Sequence, residues 1–344
     1  MFSERQVLNM LKDLCLINGT SGDEGRVRDY IIAQIKDYCE YRVDALGSVI
    51  AFKKGKKTPA EKVCFNAHMD EVGFIITGIT DEGYLRFSEV GGIDPRVCLD
   101  KVVSIGENGV SGVIADKALH LLEKDEKDKS PSLDNLLIDI GANSKDEAEK
   151  FVHLGDFAYF KSDYYEFGNG FVKAKALDDR VGCMLLIELI KSDLEYDTTF
   201  CFNTQEEVGL RGAKCTSFAV QSDISVILEA TTASDLDGVT GSDRVCVLGD
   251  GPVISFMDRR TVYNKELYSL ALDTAKENGI KAQVKTAVAG GNDAGAIQQS
   301  GKGCKVLAIS LPCRYIHSAS SVLKLEDIDS TRKLINSLLD KLYD

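Results

Sequence analysis

The chain has 344 residues, about two domains at roughly 150 residues each, and its 44% hydrophobic and 28% charged residues are the ordinary mix of a globular protein. Lys and Arg number 41 against 54 Asp and Glu, a net charge of −13, and an acidic chain without a basic block is unsuited to nucleic-acid phosphates. The longest apolar stretch, Val181–Ile190, is ten residues and includes Glu188, about half of what a membrane-spanning helix needs.

The N-terminal MFSERQVLNM has no cationic start followed by an apolar core, so no secretory leader is expected and the expected location is cytoplasmic. Val7, Leu11, Leu14 and Cys15 fall on one helical face that Asn18-Gly19 stops, and Ser21 with Glu24 predicts a capping box ahead of Val27, Ile31 and Ile35. Strands follow at 48–52 and at 62–67, the second ending at His68. From about 72 to 165 short strands and Gly-containing turns dominate: hairpins at 74–90 and 102–114, strands at 136–140 and 157–160, and a capped helix at 144–151. The run Glu123–Lys129 alternates in sign and is expected to be a solvated loop.

After 166 strands alternate with helices: strands at 171–175, 199–203, 226–228, 283–287 and 306–310, helices at 180–191, 267–278 and 294–300. A last amphipathic helix carries Ile328, Leu334, Ile335, Leu338 and Leu342. This is an α/β pattern, an open mixed sheet with helices on both faces. Because such elements both precede and follow the β-rich block, residues 1–71 and 166–344 are expected to form one domain and 72–165 an insertion into it.

Ten cysteines are spread so widely that the nearest pair, Cys304 and Cys313, are nine residues apart, which excludes CxxC ribbons and redox pairs. They are expected to be reduced and mostly buried. Histidine is scarce, with only His68, His120, His153 and His317, so any metal site must be mostly carboxylate.

Polar residues collect at predicted strand ends, where open α/β sheets place their ligands. His68 and Asp70 follow the strand at 62–67, Asp178-Asp179 that at 171–175, Glu206-Glu207 that at 199–203, and Glu229 that at 226–228. The strand at 306–310 leads to His317. An acidic doublet by itself is usually a solvated turn, but five such groups at five strand ends suit a pair of divalent cations sharing one carboxylate. Asp70 is placed to fix the tautomer of His68, and one of the two adjacent glutamates is free to act as a base. Mixed nitrogen and oxygen donors fit zinc, cobalt or manganese. His120 and His153, in the β-rich block, are expected to be structural. Gly290-Gly291 lacks a following GKS/T, so it is expected to mark close backbone approach rather than a phosphate loop, and Ser318 lacks the GxSxG setting of a nucleophile.

The motifs AHMDEVGF (67–74), GGIDPRV (91–97), KAKALDDRVG (173–182), NTQEEVGLRGA (203–213), GGNDAGAIQ (290–298) and CRYIHS (313–318) together resemble the TET-like dinuclear metallo-aminopeptidases, the group that includes glutamyl aminopeptidases and cellulase M. The resemblance runs nearly end to end and implies a zinc-exopeptidase-like fold. It implies His68 as a terminal ligand, Asp178 as the bridging aspartate with a cis peptide to Asp179, and Glu207 and His317 on one metal. Glu229 would be a terminal ligand where many members carry Asp, and Glu206 the general base; Asp70, read from its place behind His68, is expected to join Glu206 as a catalytic residue. The resemblance also implies peptide substrates with a free N-terminus, one residue removed at a time, and self-association into a tetrahedral dodecamer. Two further departures are Ala319, where Pro commonly follows His-Ser, and the Ala115-Asp116-Lys117 stretch. The competing readings are a glycoside hydrolase using paired carboxylates, which explains neither histidine, and a non-catalytic scaffold of the same fold.

Overall fold

A computed structural model describes residues 4–121 and 130–343, and the expected loop at Glu123–Lys129 lies outside the described residues. Helix α1 (Glu4–Leu16) buries Val7, Leu11, Leu14 and Cys15, and α2 (Gly25–Ile35) buries Val27, Ile31 and Ile35 at i, i+4 spacing. The expected capping box does not form. Glu24 is the N-cap residue of α2 but makes no capping hydrogen bond. Ser21 Oγ instead donates to Asp70 at 2.6 Å, and a Glu24 carboxylate oxygen accepts from the Gln205 N–H at 3.0 Å. Tertiary partners outcompete the local motif.

Strands β1 (Glu40–Val43), β2 (Val49–Lys53) and β3 (Val63–His68) lead into a closed barrel. Its strands are β4 (Gly73–Ile79), β5 (Leu85–Val90), β6 (Val102–Ile105), β7 (Val110–Ala115), β8 (Leu137–Asp139) and β9 (Phe157–Phe160), in the order β4-β5-β8-β7-β6-β9. Phe74 is the centre of its core, edge-on to Phe87 and Phe160 with ring centroids 5.0 and 5.1 Å away. Helix α3 (Lys145–Ala148) precedes β9, and its expected cap is present, Ser144 Oγ accepting from the Glu147 N–H at 3.3 Å, though the helix stops three residues early.

The chain then returns through β10 (Tyr165–Phe167), β11 (Phe171–Ala174), α4 (Leu177–Ile190), β12 (Thr198–Asn203), α5 (Arg211–Val220) and β13 (Ile224–Thr232). It closes with β14 (Val253–Ile254), α6 (Lys265–Glu277), β15 (Gln283–Val284), α7 (Ala294–Ile297), β16 (Lys305–Cys313), β17 (Ser321–Lys324) and α8 (Leu325–Leu338). Among the described residues eight strands form one mixed sheet, β1-β2-β12-β3-β13-β16-β14-β15, in which β12, β3, β13 and β16 run parallel. Two strands depart from expectation. The segment at 171–174 is not in this sheet; it pairs with β10 and β17 in a separate antiparallel one. And β13 continues to Thr232, so Glu229 lies within the strand rather than past its end.

Side-chain alternation along the parallel strands fills both faces. In β13 and β16, Val226, Leu228, Leu307 and Ile309 join a core with α1, α2, α4, α6 and α8, while Ile227, Val306 and Ala308 pack against α5 and α7. Helix α4 is buried on every side except at Glu188, between that sheet and α1 and α2, which explains the apolar run VGCMLLIELI. The ten cysteines are free and mostly buried, as expected.

Candidate metal centre

The four parallel strands end on one edge of the sheet, and the expected residues converge there. His68 closes β3, Glu206 and Glu207 follow β12, Glu229 sits in β13, and His317 follows β16. Asp178 comes from the extended turn at the head of α4, where the Asp178–Asp179 peptide is cis. His68 Nε2 lies 3.2 Å from Asp178 Oδ1 and 3.2 Å from Glu229 Oε1. His317 Nε2 lies 3.3 Å from Asp178 Oδ2 and 3.2 Å from Glu207 Oε1. Asp178 thus gives one oxygen to each histidine, and each histidine has its own glutamate. The longer side chain of Glu229 still reaches His68.

Each donor is held from behind. The nearest acceptor to His68 Nδ1 is the Asp70 carbonyl oxygen at 3.1 Å, and the Asp70 carboxylate is at 3.4 Å. Asp70 also accepts from the N–H groups of Glu206 (3.0 Å) and Glu207 (3.1 Å), a loop-anchoring role that its place in the sequence did not announce. His317 adopts a left-handed backbone, φ 60°, a region that favours few residues but is reached by His more than most. Its Nδ1 is 2.8 Å from the carbonyl oxygen of Gly92. That carbonyl belongs to the segment after β5, and its approach depends on Gly91. At Gly91, φ is 86° and a Cβ would lie 2.8 Å from Val72 and 3.2 Å from Glu207.

The supporting roles of several residues were not read from the sequence. Asp179 is fully buried and accepts from the N–H groups of His68 (3.2 Å) and Gly182 (3.0 Å), and a side chain at Gly182 would collide with its carboxylate. Beneath the centre, Lys175 pairs with Glu71, and Arg180 is 3.5 Å from Glu71 while donating to the carbonyls of Leu14, Ile17, Gly19 and Met69. Buried charges are costly unless satisfied in this way. Asp293, in the GGND motif, accepts from Asn203 at 2.8 Å. The Asp-Asp doublet and, in KAKALDDR, Lys175 and Arg180 were the available signals, but nothing local says that they are buried. His120 and His153 stay apart: His120 is exposed, and His153 Nδ1 faces Asp156 at 3.9 Å with its side chain 74% exposed.

The cluster lines a cavity of about 290 Å³ together with Thr231, Ser255, Lys285, Gly290 and Asn292. Gly290-Gly291 does bring backbone to this wall, where a side chain at 291 would strike Arg260. Electrostatics mark the same spot. Burial pushes Glu206 well above the carboxylate range, and its acidic neighbours Glu207, Glu229 and Asp293 push the same way against His68. Burial would raise Asp178 too, but hydrogen bonds from His317 and His68 hold it well below that range. Burial works against a charged His317, yet Glu207 and Asp178 push it up to about 11. So much negative charge around two imidazoles fits bound cations. In particular, atoms of His68, Asp178 and Glu207, and of His68, Asp179 and Glu229, fall within 4.8 Å of one another. Of these, Asp179 already spends its oxygens on backbone N–H groups.

Comparison with known proteins agrees. A putative aminopeptidase of Acetivibrio thermocellus is 39% identical over 96% of this chain and 98% of its own. The crystal structure of a TET aminopeptidase from Thaumarchaeota archaeon SCGC AB-539-E09 superposes with a TM-score of 0.94 at 34% identity, covering 98% of this chain and 97% of that one. The TET1 peptidase of Pyrococcus horikoshii, which can assemble into a tetrahedron or a large octahedral shell, has a TM-score of 0.84 at 39% identity, over 97% and 99%. The fold is therefore the zinc-exopeptidase-like one expected, and neither the glycoside hydrolase nor the scaffold is favoured. The family model for M42 glutamyl aminopeptidases matches residues 47–334, and the chain belongs to that family of peptidases.

Proposed function

We propose that this chain is an aminopeptidase that uses two divalent cations, zinc, cobalt or manganese, to hydrolyse the first peptide bond of substrates with a free N-terminus. The observation that carries the reading is the division of Asp178, one oxygen toward the His68–Glu229 pair and the other toward the His317–Glu207 pair. One cation would be held by His68, Glu229 and Asp178, the other by His317, Glu207 and Asp178. Bound there, the cations supply Lewis acidity that polarises the scissile carbonyl and lowers the pKa of the attacking water. Glu206 lines the cavity with no partner assigned to its carboxylate among the ligand pairs. It is the general base, taking the proton of the attacking water and delivering it to the leaving amine. Asp70 does not touch substrate; it positions His68 and the Glu206–Glu207 loop.

The barrel at 72–165 serves assembly and access, and the chain self-associates into a tetrahedral dodecamer; a solved TET1 relative is a dodecamer, and the TET1 peptidase of Pyrococcus horikoshii can assemble into a tetrahedron. Among the described residues no helix is long and apolar enough to cross a membrane. The test is chelator-stripped protein, with each metal restored singly, on aminoacyl and N-blocked chromogenic substrates. Metal-dependent release from free amines alone is the expected result; release from N-blocked substrates, or activity indifferent to chelation, would overturn the reading.

A further inference from the structure

The loop after β12 carries both glutamates, yet it makes no sheet ladder of its own, so something else must fix which carboxylate points where. Four successive N–H groups show what does. Thr204 N–H donates to Ser48 Oγ at 3.2 Å, Gln205 N–H to Glu24 at 3.0 Å, Glu206 N–H to one Asp70 oxygen at 3.0 Å, and Glu207 N–H to the other at 3.1 Å. Three separate elements, the loop before β2, the N-cap of α2 and the end of β3, thus converge on one four-residue stretch. Gln205 sits in the left-handed region at φ 55°, where the Cβ of an L-residue crowds the following carbonyl oxygen. A turn of this kind persists only where its surroundings over-determine it. Glu24 is 5% exposed and leaves its own helix uncapped while accepting from that very residue.

We infer that Glu24, at the N-terminus of α2, is a positioning residue for the reaction: it clamps Gln205 in its left-handed turn and so sets Glu206 and Glu207 in their separate places. Asp70 holds the two glutamates by their own N–H groups, and Ser21 holds Asp70 through its hydroxyl. Ser21 and Glu24, which read locally as a helix cap, together brace the catalytic loop from the opposite end of the domain sequence.

This inference rests on the proposed dinuclear site, and its test separates the two. In Glu24→Ala, kcat on a leucyl chromogenic substrate should fall about 10–100-fold, the usual range for loss of a supporting hydrogen bond behind a metal ligand, with KM nearly unchanged. Affinity for added zinc should fall by a similar factor, because Glu207 rides on the same loop. Glu24→Gln keeps an acceptor oxygen at the same reach and should hold kcat within about threefold of wild type. Glu24→Asp keeps the carboxyl group but falls a methylene short, and should resemble Glu24→Ala; it stands in should the alanine variant not fold. Unchanged kcat and zinc affinity in both Glu24→Ala and Glu24→Asp would overturn the inference. So would Glu24→Gln as impaired as Glu24→Ala, or a lowered melting temperature with turnover per folded molecule unaltered. A wild-type protein inactive with every metal would sink the dinuclear reading instead, leaving zinc affinity to judge Glu24.

Discussion

The α/β domain and the barrel reach the same site by different means. The α/β domain sends side chains: two imidazoles, the carboxylates of Asp178, Glu207 and Glu229, and that of Glu206, from the ends of adjacent parallel strands, from within β13 for Glu229, and from the head of α4. The barrel sends backbone, the Gly92 carbonyl against His317 Nδ1, with Gly91 permitting the approach. It is also the partner into which Ala319 packs, two residues past His317. The lesson is that charged chemistry gathers where parallel strands terminate together, whereas an inserted antiparallel unit can orient a ligand without supplying one. If so, substitutions in the first region should change metal content or turnover outright, and those in the second, away from Gly91 and Gly92, should leave both in place.

The largest effect is expected at Asp178, the one carboxylate common to both halves. Asp178→Asn should lose both metals and essentially all activity, measured by metal analysis of the purified protein. His317→Ala should weaken mainly one. Equal metal content in Asp178→Asn and wild type would end the bridging assignment. Next come the adjacent glutamates, whose failure modes differ. Glu206→Gln removes a proton acceptor but no ligand, so the protein should stay loaded while kcat falls about 10²–10⁴-fold. Glu207→Gln replaces a charged ligand by an amide, so metal content should drop and excess metal should partly restore turnover. Metal loss in Glu206→Gln with retention in Glu207→Gln would reverse the two roles.

Much of this comparison was legible in the sequence, because periodicity reports local burial. Apolar runs gave the parallel strands, Gly-containing turns gave both hairpins of the barrel, and the carboxyl ends of the parallel strands pointed to His68, Glu206, Glu207 and His317. What escaped depends on partners distant in sequence. Phe171–Ala174 has the alternation of any strand, and only pairing with β10 and β17 puts it outside the main sheet. Ser21 and Glu24 match a capping box, and only the approach of Asp70 and Gln205 redirects them. Glu71, Lys175 and Arg180 look like surface charges until the chain folds them under the centre. Nor does composition reveal that Gly91 matters because Val72 and Glu207 press on it.

Glu229 sharpens the first half of the comparison. It lies within β13 and contacts His68 Nε2 through Oε1, so it would anchor one metal from a rigid element rather than a loop. Truncation to Ala should lower metal affinity at least as much as losing an outer supporting group does, about 10–100-fold, while leaving the fold intact. Glu229→Asp keeps a carboxylate one methylene shorter and should remain active with a smaller loss of affinity. Zinc titration monitored by calorimetry distinguishes these outcomes, and full activity of Glu229→Ala at limiting metal would show that the ligand lies elsewhere.

The smallest effect on chemistry is expected in the barrel, and it bears most directly on the second half of the comparison. His153 is the best-placed barrel histidine to challenge the division of labour, since its ring faces a carboxylate; but that carboxylate, Asp156, is on the far side of a surface turn and at 3.9 Å. An exposed pair of this kind contributes little, about 0–1 kcal/mol, and neither residue reaches the cluster at the strand ends. His153→Ala and His120→Ala should therefore keep both metals and lose less than about twofold in kcat. Leu154, beside His153, is 67% exposed, an apolar side chain turned outward on the same surface. If the barrel serves assembly, Leu154→Lys should shift the particle to smaller sizes by light scattering, with metal content unchanged. A metal lost on mutating either histidine would break the comparison, because a ligand would then come from the region assigned only a backbone contribution. A particle unchanged by Leu154→Lys would leave the division of chemistry standing and move the assembly surface away from this turn.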